Sequence, residues 1–234
     1  KVIMKKFFVF ALVLTVFAAC NSGSTAEKAE VGEVQDEAAM KGITHTADKE
    51  ASVINWTGRK FGDDAHSGTL SLSEGLLSVE DGNIIGGSFT IDMTSMVCTD
   101  EMDEEAKTDL VNHLATGDFF NAGKYPTAKF TITGVNVLEG DSTATHAISG
   151  NLMMLDSTHN VTFNATVANE GGTITATSQD FSIDRTLWNV KFMSTLMGMA
   201  KNKAIKNELE LKVTLVATAR AAAATEESSE KVAE

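Results

Sequence analysis

The chain has 234 residues, with 32 acidic side chains against 19 basic ones, a net charge of -13 and a pI near 4.8. That balance excludes a nucleic-acid surface, because neutralising phosphates needs clustered Lys and Arg. Glycine occurs 18 times and proline once, which suits strands joined by glycine turns, and the length suffices for a substantial core.

At the N-terminus, Lys5 and Lys6 precede an apolar run from Phe7 to Phe17 that ends in Ala18-Ala19-Cys20. Charged, apolar and small residues in that order make a secretory signal, with Met4 as the initiator and a run too short to span a bilayer. Ala-Ala-Cys resembles the bacterial lipobox. It predicts a lipoprotein signal peptide over residues 1–19, acylation of Cys20 and a membrane anchor there; the plainer alternative is a secreted protein cut near Ala19. The expected location is the bacterial cell envelope, periplasmic or attached to the outer membrane. Cys98 would be the only other cysteine, so no intrachain disulfide is expected, and it reads as a small buried residue rather than a nucleophile.

Residues 20–48 are rich in Ala, Glu, Ser, Gly and Lys and hold no aromatic side chain. They read as a flexible tether, and residues 220–234 as a disordered acidic tail. Between them, residues 49–219 form one domain whose dominant period is two. Phe89, Ile91 and Met93 alternate with Ser88, Thr90 and Asp92, and Ala128, Phe130 and Ile132 with Lys129, Thr131 and Thr133. Val161, Phe163 and Ala165 do the same, as do Leu209, Leu211, Val213 and Leu215. Turn signals fall at Glu74-Gly75, Asp81-Gly82-Asn83, Glu139-Gly140-Asp141 and Glu170-Gly171-Gly172. Strands centred near Asn55, Leu70, Ile91, Ile132, Ile148, Phe163, Ile174 and Leu211 make about eight antiparallel strands, a sheet large enough to close into a barrel.

Two stretches break the alternation. Glu104 to Ala115 has helical spacing, with Leu110 and Leu114 on one side and carboxylates at its start, where they favour the positive end of a helix dipole. From Phe192 to Asn207, Met193, Leu196 and Met197 share a face at helical spacing. They read either as core filler or as an adaptable apolar lid.

Catalytic constellations are missing from the sequence: there is no Gly-x-Ser-x-Gly elbow, no His-Glu-x-x-His, no phosphate loop and no dinucleotide fingerprint. His66, His113, His146 and His159 stand singly, whereas zinc sites show closely paired ligands. The expectation is no enzyme, no cofactor and no metal. Arg185 reads as an ion pair or cation-π contact at a strand end, or as a receptor for a lipid head group.

The segment from His113 to Phe130 gathers four aromatic side chains and the single Tyr125-Pro126 pair. Pro126 fixes its own φ and pushes Tyr125 toward an extended conformation, so the pair marks the start of a strand, with Phe119 and Phe120 placed to plug one end of a barrel. His113-Leu114, Asp118-Phe119-Phe120, Tyr125-Pro126, Ala128 and Phe130 resemble the signature of the YceI-like family. The resemblance runs from Ser52, with Trp56-Thr57-Gly58 and His66-Ser67-Gly68, through Gly87 to Met93, to Phe181 through Trp188 and the last strand.

This resemblance implies an all-β, extended antiparallel eight-stranded lipocalin-like β-barrel with one or two short helices. Its interior would hold a polyisoprenoid or similar isoprenoid or fatty-acyl amphiphile, as a carrier or buffer, with envelope stress as one setting. The lipid-facing candidates along the chain are Trp56, Phe89 and Ile91, then Phe119, Phe120, Phe130 and Ile132. Phe163, Phe181, Trp188, Met193, Met197, Leu211 and Val213 complete them, with Arg185 and His66 as head-group candidates. An eight-stranded barrel has room for packed side chains or for one slender ligand. Ala128, Ala165 and Ala176 beside Phe130, Phe163 and Phe181 could interdigitate or leave a tunnel, so a filled barrel serving as a structural or interaction module is the alternative. Nothing in the sequence sets the oligomeric state.

Overall fold

A strand with one apolar face cannot bury that face alone. In the computed structural model, which describes residues 26–62 and 64–220, the strands do so by closing on themselves. In chain order the first strands are β1 (Glu27–Lys28), β2 (Glu30–Gly32), β3 (Ile43–Ala47), β4 (Val53–Lys60), β5 (Ala65–Glu80) and β6 (Asn83–Cys98). After helix α1 (Glu104–Leu114) come β7 (Thr127–Val137), β8 (His146–Met154), β9 (Ser157–Glu170), β10 (Thr173–Ser178), β11 (Phe181–Asp184) and β12 (Ile205–Ala219).

Strand β4 pairs with β5 on one side and β12 on the other, so the antiparallel order β4-β5-β6-β7-β8-β9-β10-β12 returns to its start. These are the eight strands that the alternation and the turn spacing predict, closed into one ring. β3 continues the stave of β4 against β5 and β12, and β11 continues that of β10 against β12. The inward phase carries the core, including Ile54, Trp56, Phe89, Ile132, Val161 and Leu215. The hairpin between β9 and β10 turns on Gly171 and Gly172 at φ 58° and 83°, where a side chain is rarely accommodated. Helix α1 starts on Glu104 and Glu105 and packs against β6.

Three expectations differ from the structure. The first is the tether over residues 20–48, which from Glu27 onward is part of the wall. Where β10 gives way to β11, the edge of β9 around residues 160–162 loses its neighbour, and unpaired strand edges must find partners. β2 pairs with β9 there, through Val31 and Val161, and β1 lies parallel to β11. The N-terminal segment thus fills a slit between β9 and β11, with Ala29 buried in the core.

The chain then straps across neighbouring staves. The Gln35 N–H donates to Asn151 Oδ1 at 3.1 Å, Asn151 Nδ2 returns a bond to the Gln35 carbonyl at 2.7 Å, and the Ala38 N–H donates to the Ile132 carbonyl at 2.9 Å. Ser78 Oγ donates to the Lys41 carbonyl. His45 is buried in β3.

The second difference is Glu74-Gly75, which lies within β5 and is no turn. Gly75 serves close approach: a β-carbon there would stand 2.6 Å from the Ala47 methyl and 2.9 Å from the Phe89 ring. The third is Phe192 to Asn207, which forms two short 3-10 turns, Thr195–Met197 and Lys201–Lys203, instead of one helix. Met193 at φ 49° and Gly198 at φ 79° are left-handed, so no continuous helix can pass through them.

Gly75 is one of three glycines that face aromatic rings across the wall. Trp56 and Gly68 are register partners, and a β-carbon on Gly68 would overlap both the Trp56 ring and the Val97 carbonyl. A β-carbon on Gly150 would overlap the Phe130 ring. The rings lie where side chains would otherwise stand, close against neighbouring backbone. Replacing Gly68 by alanine forces ring and strand apart, and overpacking of this kind costs about 3 kcal/mol. The denaturant midpoint of Gly68→Ala is therefore expected well below that of the native chain, while Gly140→Ala, at a position with open space but φ 80°, pays only for backbone strain of about 1 kcal/mol.

Candidate functional site

The inward face of the ring does not fill the lumen. Two cavities lie within it, of about 150 Å³ and 120 Å³. They share Ile54, Ile91, Leu152 and Leu211, which form a waist contributed by β4, β6, β8 and β12. The larger, outer cavity is walled by Trp56, Met93, Ala128 and Ile183 and is closed on one side by Leu110 and Leu114 of α1 with Phe119 and Phe120. The smaller, inner one is walled by Phe89, Phe130, Ile132, Phe163, Phe181 and Val213, with Ala165 and Ala176 leaving the space. Phe163 and Phe181 stack at 4.6 Å with 5° between their planes, and Phe130 leans on Phe163 at 5.8 Å.

Charged side chains border only the outer cavity: Arg59, Lys60, Asp64, His66, Lys206 and Glu208 stand around it, with Arg185 beneath. Arg59 makes a two-pronged bond to Glu210 at 2.7 and 3.1 Å, which raises the pKa of its guanidinium. His66 Nδ1 bonds Asp100 Oδ2 at 2.8 Å, and the Ser67 N–H donates to Asp100 Oδ1 at 2.9 Å. Burial pushes the Asp100 carboxyl up, but bonds from His66, Ser67 and Cys98 outweigh it and hold the carboxyl below its ordinary value.

Arg185 borders the outer cavity, makes no ion pair among the described residues, and is engaged by backbone. Its guanidinium donates to the carbonyls of Val190 at 2.6 Å, Phe192 at 3.0 Å, Lys206 at 3.1 Å and Ile205 at 3.4 Å. Burial lowers its pKa, with Asp184 and Glu208 opposing. The side chain clasps both ends of the segment that precedes β12.

Thus Trp56, Phe119, Phe120, Ile91 and Leu211 border the outer cavity, while Phe89, Phe130, Ile132, Phe163, Phe181 and Val213 border the inner. Three candidates fall elsewhere. Trp188 is fully buried behind the wall, donating from Nε1 to the Leu152 carbonyl at 3.0 Å. Met193 and Met197 border neither cavity, and Met197 is exposed on the surface. Conversely, sequence reasoning passed over Ile54, Met96, Leu152 and Met154 as lining residues. Extending period two from Trp56 to Ile54 would have found the first.

Chemically the site offers an apolar hollow with a polar rim. The Cys98 thiol is buried and meets Met102 sulfur at 3.9 Å rather than a histidine. Among the described residues no three His, Cys, Asp or Glu side chains converge as a metal site. The indole N–H of Trp56 is buried without a partner among the described residues.

Residues 45–217 match the YceI-like domain. A crystal structure of Burkholderia cenocepacia BcnA is similar at a TM-score of 0.58 and 23% identity, covering 74% of this chain and 99% of that one. A polyisoprenoid binding domain from Saccharophagus degradans, described as implicated in plant cell wall breakdown, is similar at a TM-score of 0.57 and 16% identity, covering 76% and 99%. These likenesses establish the fold. No curated protein matches the chain in sequence.

The Asp100 contacts set an acid limit. A carboxyl with a lowered folded pKa contributes stability that is complete above its unfolded value, about 3.8, and is lost as pH falls through the folded value. Below about pH 4 the native denaturant midpoint should therefore drop more steeply than that of Asp100→Asn; parallel curves would show that the pair contributes nothing.

Proposed function

The chain belongs to the YceI-like domain family, and on that footing we propose that it is a carrier that holds the tail of an isoprenoid or fatty-acyl lipid in its barrel. The observation that carries this reading is the pair of apolar cavities meeting at one waist, running inward from a charged rim. The polyisoprenoid binding domain of Saccharophagus degradans, with the same fold, supports the same ligand class. The role is binding rather than catalysis, and the second reading, a filled barrel, has no observation in its favour.

Size sets the capacity. An apolar cavity of about 150 Å³ stays dry and takes a benzene-sized guest. The lumen as it stands therefore accepts about two isoprene-sized units end to end, and longer tails require the Ile54, Ile91, Leu152 and Leu211 waist to widen. Each methylene leaving water contributes about 0.8 kcal/mol, but a tail leaving a bilayer gains almost nothing, since both homes are equally apolar. Near-neutral exchange is what a carrier or buffer needs.

Anchoring completes the reading. Cys20, which lies outside the described residues, would carry the acyl chains and tether the barrel in the bacterial cell envelope, periplasmic or attached to the outer membrane.

Fatty acids of increasing length test the carrier. Affinity from water should rise about fourfold per methylene until the lumen fills, then level off. Ala165→Leu fills the inner cavity and should bring the plateau to shorter chains, while Ala128→Leu, in the outer one, should weaken all of them. Native mass spectrometry after mild extraction should show one apolar mass on the barrel. If no mass co-purifies and neither alanine substitution alters binding, the carrier reading is wrong.

A further inference from the structure

The segment from Arg185 to Asn207 contains five cations and no carboxylate, in a chain where acids outnumber bases by 32 to 19. Its tip is apolar and uncovered: Leu196 and Met197 are 66% and 67% exposed, the two most exposed large apolar side chains among the described residues. Lys201 and Lys203 are exposed close behind them, and Lys191 and Lys206 flank the base.

This tip is held rather than loose. Besides the four carbonyls clasped by Arg185, the Ile205 N–H donates to the Met193 carbonyl at 2.9 Å and Ser194 Oγ bonds Asn207 Oδ1 at 2.8 Å. Ser194 Oγ also accepts from the Leu196 N–H at 3.1 Å, capping the turn that presents Leu196 and Met197. Phe192 roots the base against Phe119 at 5.1 Å and His113 at 5.2 Å. The ordering cost of presenting two apolar side chains to a partner is thus met in the fold itself.

Its position ties the tip to the cavity. The Phe61 N–H donates to the Ala204 carbonyl at 3.1 Å, and Lys201 Nζ stands 5.2 Å from the centre of the Phe61 ring. Lys60 and Lys206, at the two ends of that contact, border the outer cavity. An apolar tip with a lysine collar beside a greasy mouth matches an interface that is negative at its surface and apolar just below.

We propose that the 191–206 segment docks the barrel on an anionic bilayer, Leu196 and Met197 entering the acyl boundary and Lys201 and Lys203 meeting lipid phosphates. It brings the charged rim of the outer cavity to the membrane from which a tail would enter. This inference rests on the carrier reading for its purpose, though not for its physics. Two side chains and four lysines give weak, reversible contact, so a second attachment at the N-terminus determines residence while the loop determines orientation.

The test reads the loop itself in the full chain, so that an N-terminal anchor does not mask it. Met197→Trp adds an indole at an exposed site, against Trp56 and Trp188, which are buried. Its emission should shift to the blue with phosphatidylglycerol vesicles and not with phosphatidylcholine vesicles, and should return on raising salt. Lys201→Gln and Lys203→Gln should each weaken the shift's vesicle dependence about fivefold.

Three results overturn docking: no shift on anionic vesicles, an equal shift on both vesicle types, or a shift that appears without vesicles as protein concentration rises, which would mean that a second copy covers the tip. Native mass spectrometry of the same sample separates the two ideas. Cargo without a loop shift removes the docking surface and leaves the carrier; a loop shift without cargo does the reverse.

Discussion

Aromatic rings set close against glycine decide what kind of barrel this is. Eight staves of this register enclose a space that ordinary side chains fill. Trp56 over Gly68, Phe89 over Gly75 and Phe130 over Gly150 instead spend their bulk along the wall. Three large side chains contribute burial to the core while bordering the two cavities. The small inward residues Ala128, Ala165 and Ala176 then leave space that the rings do not reclaim. Hollow and stability come from the same contacts.

Closing the ring raises a second demand, that no edge be left bare. A stave broken between β10 and β11 would violate it, and the chain meets the demand with its own N-terminal residues. β1 and β2 have only two and three residues, yet Ala29 reaches the core between them and Val31 packs against it. A similar economy governs the other end. One guanidinium, that of Arg185, gathers the carbonyls of Val190 and Phe192 with those of Ile205 and Lys206 at the start of β12, and so gives a methionine-rich loop a single shape.

Much of this was legible in the residues. Period two and the spacing of turn signals located all eight staves of the ring, and carboxylates at Glu104 and Glu105 marked where α1 begins. Tyr125-Pro126 stands directly before β7, as the fixed φ of proline requires. The rest was hidden for physical reasons. Strands as short as β1 and β2 have no period to detect, and polar composition there reflects one face in water rather than a lack of structure. Met193, Leu196 and Met197 fall at helical spacing by coincidence, and only left-handed backbone at Met193 and Gly198 reveals it. Arg185 could not be assigned from sequence because backbone carbonyls carry no letter. Gly75 reads as a turn since a glycine needed for closeness looks like one needed for φ.

The match to the YceI-like domain begins at residue 45, whereas among the described residues the wall is already present at residue 27. A polypeptide trimmed to the shared boundary would keep every stave of the ring and lose the filler between β9 and β11, presenting two raw ribbons side by side. Such a groove invites the same short strand from a neighbouring molecule, so that donor-strand exchange becomes a route to dimers or chains. The matched domain and the strands that seal the wall are, in this protein, different lengths of chain.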